Sequence, residues 1–564
     1  MASDNNEHDA AQAIEAFTSF INTSTLLDLA HRFSATYSHL AKTSTEHFLV
    51  TPVTALPTGK EKGKFLSIDV GGTNLRVGFV ELIGESDGAG ESDRGRSSTV
   101  GENVFARINR SHDRNWPIED HLKMDQAEDL FAWIGDCIAE VVRDAVEKEK
   151  GTEGAESFLG EELLLGITFS FPMAQTLLSE ATLLPMGKGF AITSDLNLGK
   201  MLLAGYARHC EVVQPTAATP GSKQNKSSLP RIRVAAITND TVATFASLAY
   251  AVKAAPNSRV AMGLIVGTGT NATVPMKLDR LHAVKKSALP NPDAVETVVI
   301  NTEWTIRGTD KPLVDLDIRT PWDLTLDANS DAPGFQPFEY MTSGRYLGEI
   351  VRLVFTDVVS REKGVDIPPA LQAKNAIPTR FLSEVVARKG GRIIQQELES
   401  RYPEPRTSTD PFWTVDRVEM IRDIAEAVQQ RSSALVATAC VGLLNCVGDI
   451  ELDKSAAAQQ NHSNNEHNHT NSNPHASSSS TPTPPPPPPK PNTKRTIEEL
   501  VIAYAGGTIS QYPKWLPTCQ KWIDVLVQQG SPVKNESKQV TLKEAKDGGI
   551  IGAAVLAGMM GVIA

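Results

Sequence analysis

The segment FLSIDVGGTNLRVGFV, residues 65–80, consists of two apolar runs separated by a pair of glycines. This pattern predicts two strands joined by a tight turn, with Asp69 near the end of the first strand. Gly71 and Gly72 remove side-chain bulk, so backbone N–H groups and the Thr73 hydroxyl can face phosphate oxygens. A second strand follows at once, whereas a dinucleotide-binding fingerprint needs a helix after its glycines. Alone, the segment is equally consistent with a plain hairpin turn.

A second segment, GLIVGTGTNAT at residues 263–273, repeats the same design. Gly267 and Gly269 open the turn, and Thr268 and Thr270 supply hydroxyls. One such hairpin is weak evidence for a phosphate site. A pair of duplicated lobes would need two such hairpins to bind one polyphosphate between them.

Between the hairpins lies ITNDTVATF, residues 237–245, in which a strand passes into a helix at Asp240. Asn and Asp are common at helix N-termini, so Asp240 could be a helix cap. It could also be a general base that accepts a hydroxyl proton during phosphoryl transfer. Its place between two phosphate hairpins favours the general base.

Length and composition limit the function further. The 564 residues allow two domains of ordinary size with linkers, and the formal net charge of -12 argues against a nucleic-acid-binding protein. The five cysteines form no CxxC pair, which argues against a disulfide framework or a zinc site and favours reduced thiols in the cytosol.

The acidic N-terminus is neither a secretory signal nor a transit peptide. The apolar stretch 550–564 is shorter than the ~20 residues of a membrane span, so we expect a buried helix in a cytoplasmic protein, with a tail anchor as the minor alternative.

Apolar spacing elsewhere predicts further elements. Helices are expected over residues 10–42, 125–147 and 423–444, strands over 163–171 and 234–238, and polar loops over 84–101 and 214–230.

Residues 455–496 differ from the rest, because His, Asn and Ser runs precede six consecutive prolines, Pro484–Pro489. Such a segment cannot bury a core, and its proline run favours polyproline II. It could dock SH3-like or profilin-like partners, or it could be a tolerated surface insertion. We favour the disordered insertion, with the proline run as a weak docking site at most.

Seven motifs in order resemble the eukaryotic hexokinase family. They are IDVGGTNLRV (68–77), GITFSFP (166–172), KGF (188–190), NDTV (239–242), GLIVGTGTNA (263–272), NTEW (301–304) and PGFQPFEYMTSGRYLGEIVR (333–352). The resemblance implies an α/β, two-lobed actin-like ATPase (ribonuclease H-like) fold. It also implies an N-terminal helical segment over 1–60, a small domain over 61–239 and a large domain over 240–564, which ends in a C-terminal helix over 547–564.

The resemblance implies an ATP-dependent kinase that phosphorylates a sugar 6-hydroxyl. Asp240 matches the catalytic base, and Lys188 matches the lysine beside the sugar and the transferring phosphoryl group. Mg²⁺ is expected on ATP oxygens and water, with Asp69 and Asp240 nearby and no direct protein ligand. The residues implied to bind the sugar are Ser170, Gly187, Lys188, Asn239, Asp240, Asn271, Glu303, Gln336 and Glu339. The residues implied to bind ATP are Asp69, Gly71, Gly72, Thr73, Asn74, Arg76, Gly267, Thr268, Gly269, Thr270, Gly506 and Gly507.

The sequence also departs from the glucose-using members of that family. Their sugar loop reads Trp-Thr-Lys-Gly-Phe, whereas Met186 and Gly187 precede the lysine here. Thr305 and Tyr340 stand where Gly and Lys are usual. In the adenosine region, the usual Asp-Gly-Ser appears as Ala-Gly-Gly (505–507), and the terminal Asp-Gly-Ser-Gly appears as Asp-Gly-Gly-Ile (547–550). Residues 335–347 and 550–554 resemble the fungal N-acetylglucosamine kinase branch.

Three hypotheses follow. The first is an N-acetylglucosamine kinase, because Gly187 removes bulk and a hydroxyl that would favour a simple polyol. The second is a hexokinase acting on glucose, fructose or mannose. The third is a catalytically weak hexokinase-like regulator, against which the retained Asp240, Lys188 and Glu303 argue.

Overall fold

The computed structural model describes residues 2–84, 107–124, 127–149, 162–171, 173–183, 196–210, 229–252, 257–404, 411–453 and 497–561. The insertion predicted over 455–496 and the sugar loop that carries Gly187 and Lys188 lie outside the described residues. So do most of the two polar loops predicted over 84–101 and 214–230.

The strands form two large sheets and a small one. The strands are β1 (Leu49–Val50), β2 (Gly63–Val70), β3 (Asn74–Leu82), β4 (Ile108–Pro117), β5 (Glu162–Phe169), β6 (Met173–Ala174), β7 (Thr182–Leu183), β8 (Arg231–Thr238), β9 (Ser258–Val266), β10 (Thr270–Lys277), β11 (Thr297–Asn301), β12 (Glu498–Ala505) and β13 (Lys538–Glu544). The first large sheet has the order β4-β3-β2-β5-β8, and the second has the order β1-β11-β10-β9-β12-β13. Strands β6 and β7 pair with each other.

The helices cover these sheets and fill the space between them. They are α1 (Ala2–Thr18), α2 (Thr23–Thr43), α3 (Asp120–Met124), α4 (Ala127–Glu149), α5 (Leu198–Ala207), α6 (Asp240–Val252), α7 (Ala283–Ser287), α8 (Lys311–Asp315), α9 (Pro321–Ala328), α10 (Pro337–Thr342), α11 (Leu347–Ser360), α12 (Pro369–Gln372), α13 (Thr379–Phe381), α14 (Gly391–Arg401), α15 (Val415–Val447), α16 (Gly507–Gln511), α17 (Trp515–Gly530) and α18 (Gly548–Gly561). Short 3₁₀ turns cover Leu278–Arg280 and Pro292–Ala294, and a π-helical turn covers Leu382–Val386.

The two sheets have separate cores. Apolar side chains of β2, β3 and β5 pack with α4 and α5 in the first lobe. In the second lobe, the sheet packs with α11 and with α15, and α15 contacts both N-terminal helices. The helical pattern predicted over 10–42 is therefore two helices, because Asn22 caps α2 by accepting a hydrogen bond from the Thr25 N–H at 3.0 Å.

A third core connects the lobes. Helix α6 follows β8 of the first sheet and packs on β9 of the second, while α18 packs on α6 and on β2, β3, β5 and β8. The terminal helix, assigned above to the large domain over 240–564, packs mainly on α6 and on strands of the first sheet. The helix is buried from Ile550 to Ala557, as predicted. Among the described residues, no helix has both the length and the apolar character to cross a membrane.

Candidate functional site

The first glycine turn joins two antiparallel strands, β2 and β3. The Gly71 N–H donates to the Asn74 carbonyl at 2.9 Å, and the Thr73 carbonyl accepts from the Ile118 N–H at 2.8 Å. Thr73 and Asn74 are exposed, and a Cβ at Gly72 would meet open space. The turn therefore presents backbone and hydroxyl groups to solvent, as a phosphate-binding turn requires.

Asp69 lies in this hairpin directly opposite Arg76. Its carboxylate lies against Gly549 at the start of α18, where a Cβ would overlap both carboxylate oxygens. The Asp69 pKa is raised to about 6, mainly by burial; the Arg76 guanidinium lowers it, and the negative charges of Asp240 and Asp547 raise it. The first hairpin, the start of α6 and the start of α18 thus converge on one acidic site.

The second glycine turn is closed by the Gly267 N–H, which donates to the Gly269 carbonyl at 2.9 Å. The Gly267 carbonyl accepts from the Gly344 N–H at 2.7 Å and from the Thr508 hydroxyl at 3.0 Å. Gly506 has a φ of 120° and lies so close to β9 that a Cβ would overlap the Val266 carbonyl. The structure therefore brings this hairpin and the predicted Gly506–Gly507 loop together.

Asp240 is the first residue of α6, and Asn239 precedes it. The Asn239 Oδ1 accepts from the Val242 N–H at 2.9 Å and from the Thr241 hydroxyl at 3.1 Å. Asn239 therefore supplies the side-chain cap, and the cap does not require the Asp240 carboxylate. Thr241 also bonds to Thr273 at 3.0 Å, which ties the start of α6 to strand β10.

A cluster of two amides and a carboxylate lies at the start of β10 and the end of β11. The Asn301 Nδ2 donates to Glu303 Oε1 at 2.5 Å, and the Asn271 Nδ2 donates to Asn301 Oδ1 at 2.8 Å. Glu303 has a φ of 47°, a left-handed conformation that is uncommon for residues other than glycine. Such strain is typical of functional sites, where the surroundings hold a residue in place.

The Glu339 carboxylate lies against the second hairpin. It is buried in α10, and its Oε2 accepts from the Thr270 N–H at 3.4 Å. Gln336 occupies the N-cap position of the same helix, without a side-chain capping hydrogen bond, and Ser170 follows β5, where its N–H donates to the Val70 carbonyl at 3.0 Å. Most predicted sugar-binding residues thus lie at strand ends or helix starts, while Gly187 and Lys188 lie outside the described residues.

Several residues of the site were absent from the predicted set. Asn301 could have been identified, because it ends a strand within the NTEW motif. Asp547 and Gly549 lie in the terminal motif 547–550, and Thr508 follows the 505–507 motif, but their contacts with distant segments could not be predicted from either motif.

These residues fit a nucleoside triphosphate. The open space over Gly72 and the exposed Thr268 leave both glycine turns accessible. In the part of the chain that the structure describes, no group of three or more His, Cys, Asp or Glu side chains is arranged to hold a metal ion. Asp69 and Asp240 are the carboxylates that would face a cation carried on the nucleotide.

Two family models, both described as hexokinase, match residues 12–250 and 261–559. The chain belongs to the hexokinase family. It is 32% identical over 406 residues to Hexokinase-1 of Nicotiana tabacum, a match covering 71% of this chain and 69% of that relative. It is 31% identical over 399 residues to Hexokinase-3 of Homo sapiens, covering 70% of this chain and 35% of that relative.

Solved hexokinase structures have the same fold. The hexokinase from Schistosoma mansoni complexed with glucose superimposes with a TM-score of 0.68 at 23% identity, covering 99% of this chain and 100% of the other. A second hexokinase crystal structure gives a TM-score of 0.63 at 21% identity, with the same coverage. The predicted α/β, two-lobed actin-like fold is confirmed.

The structure locates two of the departures noted above, Tyr340 and Thr305. The Tyr340 hydroxyl donates to the Ala332 carbonyl at 2.8 Å and bonds to Ser330 at 3.0 Å, so the side chain is buried in the second lobe. Thr305 is buried as well. Both residues therefore lie in the packed interior of the second lobe.

Proposed function

We propose that this hexokinase-family chain transfers the γ-phosphoryl group of ATP to the 6-hydroxyl of a hexose. The observation that carries the proposal is the convergence of Asp69, Asp240 and the start of α18 next to the first glycine hairpin. ATP with Mg²⁺ supplies the transferable phosphoryl group. The protein holds the two substrates in position and supplies charged groups. Positioning and electrostatic stabilisation are the main contributions of a protein to the catalysis of phosphoryl transfer.

In this proposal, Asp240 accepts the proton of the attacking hydroxyl. Its place at the start of α6 is held by the Asn239 cap and by the Thr241–Thr273 hydrogen bond. The Asn239 Oδ1 is engaged in the cap, so its Nδ2 amide would face the sugar. Lys188 would balance charge on the phosphoryl group.

Asn271, Glu303 and Glu339 would accept and donate hydrogen bonds around the sugar rim, together with Gln336 and Ser170. The polyol needs such fixed amide and carboxylate partners, because a site built around hydrogen bonds rejects a ligand that lacks one of them. The bonds from Asn301 to Glu303 and from Thr270 to Glu339 hold two of these carboxylates in place.

Two sugars are candidates. Glucose, or another simple hexose such as fructose or mannose, is favoured by the names of the relatives. N-acetylglucosamine is favoured by Gly187, which gives a 2-acetamido group more room than the usual threonine would. The Gly187→Thr variant should raise the kcat/KM for glucose relative to that for N-acetylglucosamine if the acetamido group lies there.

The deciding experiment is a coupled-enzyme assay with glucose, fructose, mannose, glucosamine and N-acetylglucosamine under saturating Mg·ATP. Transfer to any of them supports the kinase, and the ratio of kcat/KM values identifies the sugar. Sugar binding by calorimetry without transfer to any sugar would instead favour a hexokinase-like regulator.

A further inference from the structure

Strand β4 contains a bulge opposite Gly78 of β3. The register shifts between Val77 and Phe79, and His112 has a φ of 57°. A bulge bends its strand and redirects the side chains next to it. The Asp113 carboxylate lies over Gly78, where a Cβ would overlap it. The glycine therefore makes room for an acidic side chain on the face of the sheet.

A ladder of alternating charges runs from this bulge to the first glycine hairpin. The Arg110 guanidinium is 3.0 Å from Asp113 Oδ1 and pairs through its Nη1 with Asp547. The Arg76 Nη1 lies 3.5 Å from the other oxygen of Asp547, and Arg76 is directly opposite Asp69 in the sheet. Each arginine therefore lies between two carboxylates.

Asp547 connects the ladder to the second lobe. It follows β13 and immediately precedes α18, and its φ is 53°. Its negative charge acts on Asp69 as well as on the two arginines. Because Arg110 neutralises part of the negative charge of Asp547, less of that charge is left for Arg76 to neutralise.

We propose that Arg110 is a positioning residue of the nucleotide site. By pairing with Asp547, it leaves the Arg76 guanidinium available to the phosphates of a nucleoside triphosphate. Arg110 lies outside all seven motifs that match the family. The inference rests on the proposed function for the identity of the ligand, and on the ladder's geometry for the role of the residue.

The first test is Arg110→Gln. Without Arg110, Arg76 is drawn to Asp547, so we expect the KM for ATP to rise about tenfold, in keeping with the loss of one charge-assisted contact, while kcat changes less. The Kd of a non-hydrolysable Mg·ATP analogue, measured by calorimetry, should rise by a similar factor. The acid limb of the pH profile of kcat/KM should move to higher pH. Without the Arg110 countercharge, the negative charge of Asp547 disfavours the ionised form of Asp69.

The second test is rescue by Arg110→Gln/Asp547→Asn. Removing the carboxylate along with the arginine should restore both the Kd and the acid limb. Arg114→Gln is the matched control, because Arg114 lies on the same strand and pairs instead with Glu140 and Asp144 of α4. The control should keep the wild-type Kd.

The outcomes separate the two proposals. An unchanged Kd in Arg110→Gln, or no rescue in the double variant, would overturn the role of Arg110. If the wild type transfers phosphate to no sugar, the proposed function fails, whereas the calorimetric Kd values still decide whether Arg110 positions Arg76.

Discussion

At the residue scale, Asp240 carries the strongest prediction. Asn239 caps α6, so the Asp240→Ala variant should keep the helix while losing the proposed general base. We expect kcat to fall by ~10²–10⁴-fold, the usual contribution of general-base catalysis. Sugar affinity, measured by calorimetry, should be partly retained.

The control for this prediction is Asp416→Ala. Asp416 is an exposed aspartate in the first turn of α15 and tests the general effect of removing a carboxylate near a helix N-terminus. Near-normal turnover of Asp240→Ala would contradict the catalytic role.

Lys285 is a buried cation whose Nζ donates to the Ala41 carbonyl, in the last turn of α2, at 3.1 Å. Burial lowers its pKa to about 8, below the ordinary 10.5. The unfolded chain therefore binds more protons between these two values, so the contribution of Lys285 makes the free energy of unfolding rise with pH across that window. Lys285→Met should lack this contribution. Urea titrations of both proteins near each end of the window measure the difference, and an identical pH dependence would exclude it.

At the element scale, the loop between β12 and α16 depends on Gly506. Its φ of 120° and its contact with the Val266 carbonyl leave no room for a Cβ. Gly506→Ala should lower the free energy of unfolding by about 1–3 kcal/mol, the usual cost of forcing a residue into a disfavoured conformation, and should weaken nucleotide binding.

Gly507→Ala is the matched stability control, because a Cβ at Gly507 would meet no atom within 4 Å. Its midpoint of thermal unfolding should stay close to the wild-type value. Equal losses in both variants would show that the loop has no special requirement at Gly506.

The N-terminal helix α1 contacts a buried ion pair of α9 and α15. Arg431 donates to both oxygens of Asp323 at 2.7 and 2.8 Å, and its guanidinium lies 4.3 Å from the centroid of the Phe17 ring. Arg431→Met leaves Asp323 buried without its cation, so we expect a loss of about 3–5 kcal/mol in the free energy of unfolding.

The exposed pair of Lys514 and Glu426, 2.7 Å apart, provides the comparison. Lys514→Met should cost about 1 kcal/mol or less, because solvent screens surface ion pairs. Denaturant unfolding of the two variants gives both values. Similar losses would mean that burial does not make the Arg431 pair more important.

At the scale of the whole molecule, the chain crosses between the sheets from β1 to β2, from β8 into α6, and from β13 into α18. Few backbone segments therefore limit rotation of one lobe against the other, with hinges expected at residues 239–241 and near Asp547. Sugar binding should close the lobes, because water must be kept from the transferring phosphoryl group. Small-angle scattering with saturating sugar should show a smaller radius of gyration; an unchanged radius would contradict closure.

Local sequence patterns determined many of the secondary-structure elements of this chain. Both glycine hairpins, the strand-to-helix step at Asp240 and the buried terminal helix could be predicted, because each depends on residues adjacent in the chain. Apolar periodicity and glycine turns act within one or two elements. The same apolar spacing predicted a single helix over 10–42, because the spacing continues across Asn22. The Asn22 cap separates α1 from α2 in the structure.

Only the tertiary structure decided how these segments meet. Tyr340 turns toward Ser330, Gly549 lies against Asp69, and Arg110 reaches Asp547 more than 400 residues away along the chain. The contacts of Gly549 and Asp547 depend on how α18 returns to the first sheet, and no local pattern encodes that path. The sequence therefore determined which chemical groups are present, and the packing of two distant lobes decided which of them share one site.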